Sequence, residues 1–237
     1  MLQTIGNFLF KYRTIVFPAF LPLALLPSPT LFDRPLYAAA IGFALSALGE
    51  AVRVTTIGMQ YIVRGGRDRR VYAKDLVTGG FYAHTRNPMY VGNVLILVGL
   101  AVASNSWFCA VVLTAAYVFV CVAIVAAEES YLRDKFGAAF DEYCRDVPRW
   151  LPRMSGIGAT LADYHFNWRR VVTKEYGTPL GWTLTWGVLV IWNLWRTDGG
   201  IDAHRMATAV VVGIMTVMLV FWITARIIKK SKRWAST

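Results

Sequence analysis

Residues 78–93 read TGGFYAHTRNPMYVGN, and the reading of the whole chain turns on this stretch. It is polar and turn-rich, lies between strongly apolar segments, and opens a new hydrophobic helix at Met89. Paired Gly, His, Arg, Asn and two Tyr at a membrane boundary suit a small polar ligand. Gly79 and Gly80 let the backbone approach such a ligand closely. Pro88 suits a first helical turn, where its missing N–H costs nothing, and Asn87 suits the N-cap. A helix start with Arg86 beside it can hold an anion such as a carboxylate.

The segments on either side make this a membrane protein. Of 237 residues, 56% are hydrophobic and only 16% charged, whereas soluble domains carry about 25% charge. Several apolar runs reach the roughly 20 residues that a helix needs to cross a bilayer. The expected fold is an all-α, polytopic integral membrane bundle of about six spans with a cytoplasmic cap, forming one domain over residues 1–237. Lys11 and Arg13 precede an apolar run with no small-residue cleavage site, so the N-terminus reads as a retained segment. Cys109 and Cys121 lie in apolar helices and Cys144 in a polar one, which implies no disulfide framework. His84, His165 and His204 are scattered, and no metal site is expected.

Taken in order, residues 1–27 hold a first membrane segment that Pro18, Pro22 and Pro27 should kink or make partly re-entrant. Leu36–Ile57 is a full span rich in small residues, suited to close helix packing. Near its end Glu50 and Arg53 share a face at i,i+3. They face either the bundle interior, marking a site, or the interface, with a snorkelling Arg. Residues 58–74 form a basic loop or surface helix carrying Arg64, Arg67, Arg69 and Arg70. Met89–Ala103 and Trp107–Ala127 make a helical hairpin across Ser104-Asn105-Ser106. Glu128–Arg145 continues as an amphipathic helix, and Val147–Pro152, VPRWLP, cannot be regular helix. Leu161–Tyr176 reads as one interfacial helix. Leu180–Trp195 and Met206–Ile228 are further spans joined by the polar loop Arg196–Arg205.

Charge fixes the expected orientation. Of the 25 Lys and Arg, 21 fall on the N-terminus, the 58–88 loop, the 128–178 segment and the tail, against 3 on the opposite loops. Both termini are then cytoplasmic. The net charge of +11 reflects this bias and calls for no nucleic-acid partner. The 78–93 stretch falls on the same side as Glu128 and Glu129, where another apolar helix meets a charged segment. Glu128 shares a helical face with Leu132, Phe136, Phe140 and Tyr143 and should point inward. Glu129 has the i,i+4 spacing of a surface ion pair with Arg133. An anion pocket beside a carboxylate suits a zwitterionic amino acid group.

The ordered set Gly79-Gly80-Phe81-Tyr82, Arg86-Asn87-Pro88-Met89-Tyr90-Val91-Gly92 and Glu128-Glu129 resembles the membrane methyltransferases. That superfamily includes isoprenylcysteine carboxyl methyltransferase and phosphatidylethanolamine N-methyltransferase. The likeness extends through Leu132, Phe136-Gly137, Tyr143 and VPRWLP, and covers roughly Leu45 to Pro152. The two spans beyond it, about 178–230, form an extension that could complete a substrate groove or an oligomer interface. The resemblance implies S-adenosyl-L-methionine as cofactor and a membrane-resident amphiphile as substrate, a lipid headgroup amine or a prenyl-type carboxylate or thiol. It implies a cofactor site of Tyr82, His84, Arg86, Asn87, Pro88, Tyr90, Glu128, Glu129, Leu132 and Tyr143. Glu128 and Arg149 are the candidate catalytic residues, Arg149 either facing the cleft or pairing with lipid phosphate. Asn87 matches the lipid N-methyltransferases, while VPRWLP resembles the carboxyl methyltransferase side. Methylation of a small hydrophobic metabolite or thiol is the alternative within enzymes; outside them it is a transporter or binding module.

Overall fold

A computed structural model describes residues 1–60, 71–197 and 199–231; the Arg64–Arg70 stretch and the tail residues Lys232 and Arg233 lie outside the described residues. The chain is all-α. Its helices are α1 (Leu2–Leu23), α2 (Pro35–Met59), α3 (Pro88–Ala103), α4 (Thr114–Phe136) and α5 (Ala138–Asp146), then α6 (Ile157–Asp163), α7 (Trp168–Glu175), α8 (Gly177–Arg196), α9 (Gly200–Ala203) and α10 (Arg205–Lys230). A 3-10 turn, Gly80–Ala83, precedes α3, and a π-helical stretch, Cys109–Leu113, runs directly into α4.

The tightest pair is α2 against α3. Gly42 faces the carbonyl of Gly99, Gly49 faces that of Gly92, and a Cβ at either would collide with the opposing backbone. Between them Ser46 Oγ donates to the Ile96 carbonyl at 3.2 Å. Without competing water, helices in a membrane associate by such close approach of small residues. Gly6 of α1 meets the Ala123 carbonyl of α4 in the same way. On the other side, α8 packs on α2: Trp186 Nε1 donates to the Ala39 carbonyl at 2.9 Å, and Phe43 stands edge-on to Trp182 and Trp186. α10 packs on α8 and otherwise faces outward, burying only Val211 and Ala225.

Loops collect at two ends. The 29–32 loop, the 104–107 turn and the end of α8 meet at one: Asn105 exchanges hydrogen bonds with Phe32, and Asn193 Nδ2 donates to the Ala103 carbonyl. The 79–87 and 147–153 segments meet at the other. By length and composition, Pro35–Met59, Cys109–Phe136 and Arg205–Lys230 can each cross a membrane, and α3 is a shorter apolar helix. The protein is an integral membrane bundle.

Three expectations change. α1 runs unbroken through Pro18 and Pro22, with no re-entrant break; neighbouring helices allow prolines inside a membrane helix. The expected helix from Glu128 to Arg145 is two helices: Gly137 adopts φ +53, which ends α4 before α5 begins. The expected helix over Leu161–Tyr176 also divides. Asn167 accepts from the Arg170 N–H at 2.9 Å and so caps a fresh start for α7.

Candidate functional site

Residues 84–87 and 148–153 run side by side and hold each other through their backbones. Arg86 N–H donates to the Pro148 carbonyl at 2.9 Å, and Arg153 N–H to the His84 carbonyl at 2.9 Å. Thr85, fully buried, donates its hydroxyl to the Trp150 carbonyl at 2.9 Å and lies 3.3 Å from that of Arg149. Asn87 Nδ2 donates to the Arg149 carbonyl at 3.2 Å. Asn87 thus occupies the N-cap position of α3 without capping it; the side chain ties VPRWLP in place instead. The prolines that keep 147–152 out of a helix leave its carbonyls unspent, and Thr85 and Asn87 satisfy them.

Both carboxylates at the end of α4 are buried. Glu128 accepts from the Tyr90 hydroxyl at 3.0 Å. Glu129 is gripped by Arg149, with Nε at 3.2 Å and Nη2 at 2.5 Å, and Arg86 Nη1 lies 3.5 Å away. The expected pair of Glu129 with Arg133 does not form: α4 turns Glu129 inward, and Arg133 pairs with Asp141 at 2.8 Å on the surface. Arg149 therefore has a partner that neither expectation for it named. Arg86 Nη1 also donates to Cys144 Sγ at 2.6 Å, while its buried Nε finds no acceptor among the described residues.

The other expected site residues gather around this cluster. Tyr143 donates its hydroxyl to the Tyr82 carbonyl at 2.7 Å, and with Leu132, Phe140, Val147 and Ala73 it forms an apolar floor. Pro88 is buried at the start of α3. His84 is a strut: Nδ1 meets the Arg153 carbonyl at 2.7 Å and Nε2 the Thr160 hydroxyl at 2.9 Å. Thr85 was legible only as one polar residue in a polar run; its role depends on VPRWLP lying alongside.

A second polar cluster lies deeper. Glu50 and Arg53 both face the bundle interior, which decides between the two readings of that pair. They do not bond to each other. Arg53 donates to Glu175 of α7 at 2.6 Å, to Asn93 of α3, and to Thr178 of α8 at 3.3 Å. Trp182 Nε1 donates to Glu50 Oε2 at 3.1 Å. Sequence reading gave no role to Asn93, the last residue of the 78–93 stretch, and missed Glu175, Thr178 and Trp182, which carry no motif.

Among known proteins, residues 37–139 match the model of the phospholipid methyltransferase family. The chain is 30% identical over 133 residues to the nickel-cobalt-cadmium resistance protein NccN of Alcaligenes xylosoxydans xylosoxydans, covering 56% of this chain and 60% of that protein. It is 36% identical over 80 residues to the cobalt-zinc-cadmium resistance protein CzcN of Cupriavidus metallidurans, covering 34% of this chain and 37% of the relative. The chain thus spans less than two thirds of either relative's length. No solved structure matches it. Residues 37–139, which carry nearly all of α2, all of α3 with its flanking turn, and all of α4, are thus similar to the phospholipid methyltransferase family, over less than half of the chain.

Proposed function

We propose that this protein transfers a methyl group from S-adenosylmethionine to an amphiphile held in the bilayer, with the cofactor entering at the cytoplasmic face. The observation that carries this reading is the cluster of Arg86, Tyr90, Glu128, Glu129 and Arg149, drawn from three separate segments to one end of an apolar bundle. Its donor set fits the amino acid end of the cofactor. Arg86 Nε is a buried N–H without an acceptor, which a carboxylate would satisfy. Glu128 is the carboxylate for the ammonium, and the Tyr82–Tyr143 floor is the surface for the adenosine. When bound, the cofactor supplies an electrophilic methyl on a sulfonium. The protein's own part is to hold, align and exclude water. Arg149, anchored on Glu129 with its side chain 43% exposed, would orient the substrate. The bias of Lys and Arg supports a cytoplasmic location for both termini and for this cluster.

Calorimetry with S-adenosylhomocysteine tests the cofactor site, with saturable binding expected. Methyl-labelled lipid extracts from cells with and without the gene should differ by at least one labelled species. Absence of both results would overturn the reading. The names of the two relatives favour a second reading, in which methylation of a small metabolite or thiol serves metal resistance. Cells carrying Glu128→Gln would then lose metal tolerance along with methyl transfer. Unchanged tolerance rejects it.

A further inference from the structure

Glu50 is 91% buried, since its exposure is 9%. One oxygen takes the Trp182 indole N–H at 3.1 Å; the other, Oε1, is buried with no hydrogen-bond partner among the described residues. The guanidinium beside it is already committed: Arg53 holds Glu175, Asn93 and Thr178. Among the described residues two carboxylates thus share one cation, and the cluster is one positive group short. Burying a carboxylate without a partner is costly, and ionisable groups inside membrane helices mark binding sites more often than they serve packing.

An apolar cavity of about 420 Å³ continues from this cluster, lined from α1, α3, the π-helical stretch before α4, and α8. The two are stacked along the same helix faces. On α3, Asn93 belongs to the polar cluster and Leu97, one turn on, to the cavity wall. On α8, Thr178 belongs to the cluster, and Gly181, Trp182 and Thr185 follow on the same face along the cavity. Trp182 joins them, with its N–H on Glu50 and its side chain in the wall. At ~30 Å³ for a water-sized group, the cavity holds on the order of a dozen methylenes. That is one chain.

We propose that Glu50, Trp182 and this cavity form an intramembrane site for a single-chain amphiphilic amine that carries no phosphate. The ammonium sits on Glu50 and the chain fills the cavity. A phosphate would need a free cation, and Arg53 is spent on Glu175. The site lies one turn from Tyr90 along α3, which places the head next to the cofactor cluster; that the amine is also the methyl acceptor rests on the function proposed above. α7 and α8, which follow the family-matched residues, complete the site through Glu175, Thr178 and Trp182.

The test uses full-length protein in phosphatidylcholine nanodiscs, with empty nanodiscs as blank, and tritiated hexadecylamine, hexadecanoic acid and hexadecyl phosphate as probes. Saturable binding is expected for the amine alone. Glu50→Gln should weaken it about tenfold or more, as expected for a lost charged hydrogen bond. Trp182→Phe, which keeps a ring in the wall, should weaken it several-fold. Ala101→Phe, which fills the cavity, should shift preference to octylamine. Equal saturable binding of the acid or the phosphate, or undiminished amine binding to both Glu50→Gln and Trp182→Phe, overturns the proposal. S-adenosylhomocysteine binding is measured on the same preparations. Its absence with amine binding intact rejects the methyltransferase reading alone, and the reverse result rejects this site alone.

Discussion

Arg149 holds both oxygens of Glu129 from 20 residues further along the chain, through Nε and Nη2. The fork is bidentate, and Glu129 is 4% exposed at its base. The contact fastens the irregular VPRWLP segment to the end of α4 by a side chain, as Thr85 and Asn87 fasten it to the start of α3 through its carbonyls. It engages both oxygens of Glu129, and under the proposed function Glu128 is the carboxylate expected to meet the cofactor ammonium.

The two glutamates should therefore separate under mutation. Glu128→Gln should lower S-adenosylhomocysteine affinity about tenfold to a hundredfold, as for loss of a charge-assisted hydrogen bond of ~1.5–3 kcal/mol, with little change in thermal stability. Glu129→Gln should chiefly lower stability, by about 1–3 kcal/mol, because the half-exposed Arg149 and the nearby Arg86 lose a charged partner. Calorimetry and a thermal melt on each variant decide it. The reverse pattern would exchange the two roles.

Arg149→Lys keeps the charge and loses the fork. Because the fork lies on Glu129, turnover should fall at least tenfold and protease nicking within 147–153 should rise. Limited proteolysis followed by mass spectrometry reads the second effect. An unchanged cleavage pattern would show that the fork does not hold the segment.

Thr85→Val removes a hydroxyl bonded to the Trp150 carbonyl while keeping the shape. Leaving that carbonyl unsatisfied should cost about 1–3 kcal/mol. Hydrogen exchange should quicken at Arg86 and Arg153, whose N–H groups pair the two strands of chain. Exchange confined to wild-type rates would place the strength of this pairing elsewhere.

Glycines test the packing. Gly99→Val should abolish folded yield, since a Cβ there meets the Gly42 carbonyl and Ser46 of α2. Gly213→Ala in α10 meets nothing within 4 Å and should be neutral or up to about 1 kcal/mol stabilising through helix propensity. Expression in membranes and a thermal melt compare the two. A tolerated Gly99→Val would mean that α2 and α3 separate more readily than their contact suggests.

Topology is tested by single cysteines placed at Asp33 and Asp141, both exposed and at opposite ends of the bundle. In oriented vesicles Asp141→Cys should react from the cytoplasmic side and Asp33→Cys from the other. Native Cys109 and Cys121 are buried and should stay silent, and the half-buried Cys144 is replaced by Ser in both variants. Labelling of both positions from one side overturns the six-span expectation.

Local chemistry made much of this molecule legible. Apolar run length yields the long helices, proline explains why 147–152 is not helical, and the bias of basic residues groups the loops that do meet at one end of the bundle. The same local reading brought Arg86, Tyr90, Glu128 and Tyr143 to one neighbourhood. Helical periodicity alone could not assign partners. It put Glu129 with Arg133, four residues away, whereas Glu129 turns inward to Arg149. Nor could it see that Arg53 would meet Glu175, or Glu50 meet Trp182, at separations of 122 and 132 residues. Those pairings depend on how each helix is rotated about its axis and on its depth against its neighbour. The Gly42–Gly99 and Gly49–Gly92 contacts set both for α2 and α3, and α8 is then placed by Trp186 on Ala39. Local chemistry set which residues could be helical, capped or charged at a boundary. Tertiary packing decided which charges meet, because in a bundle that is a matter of interhelical register.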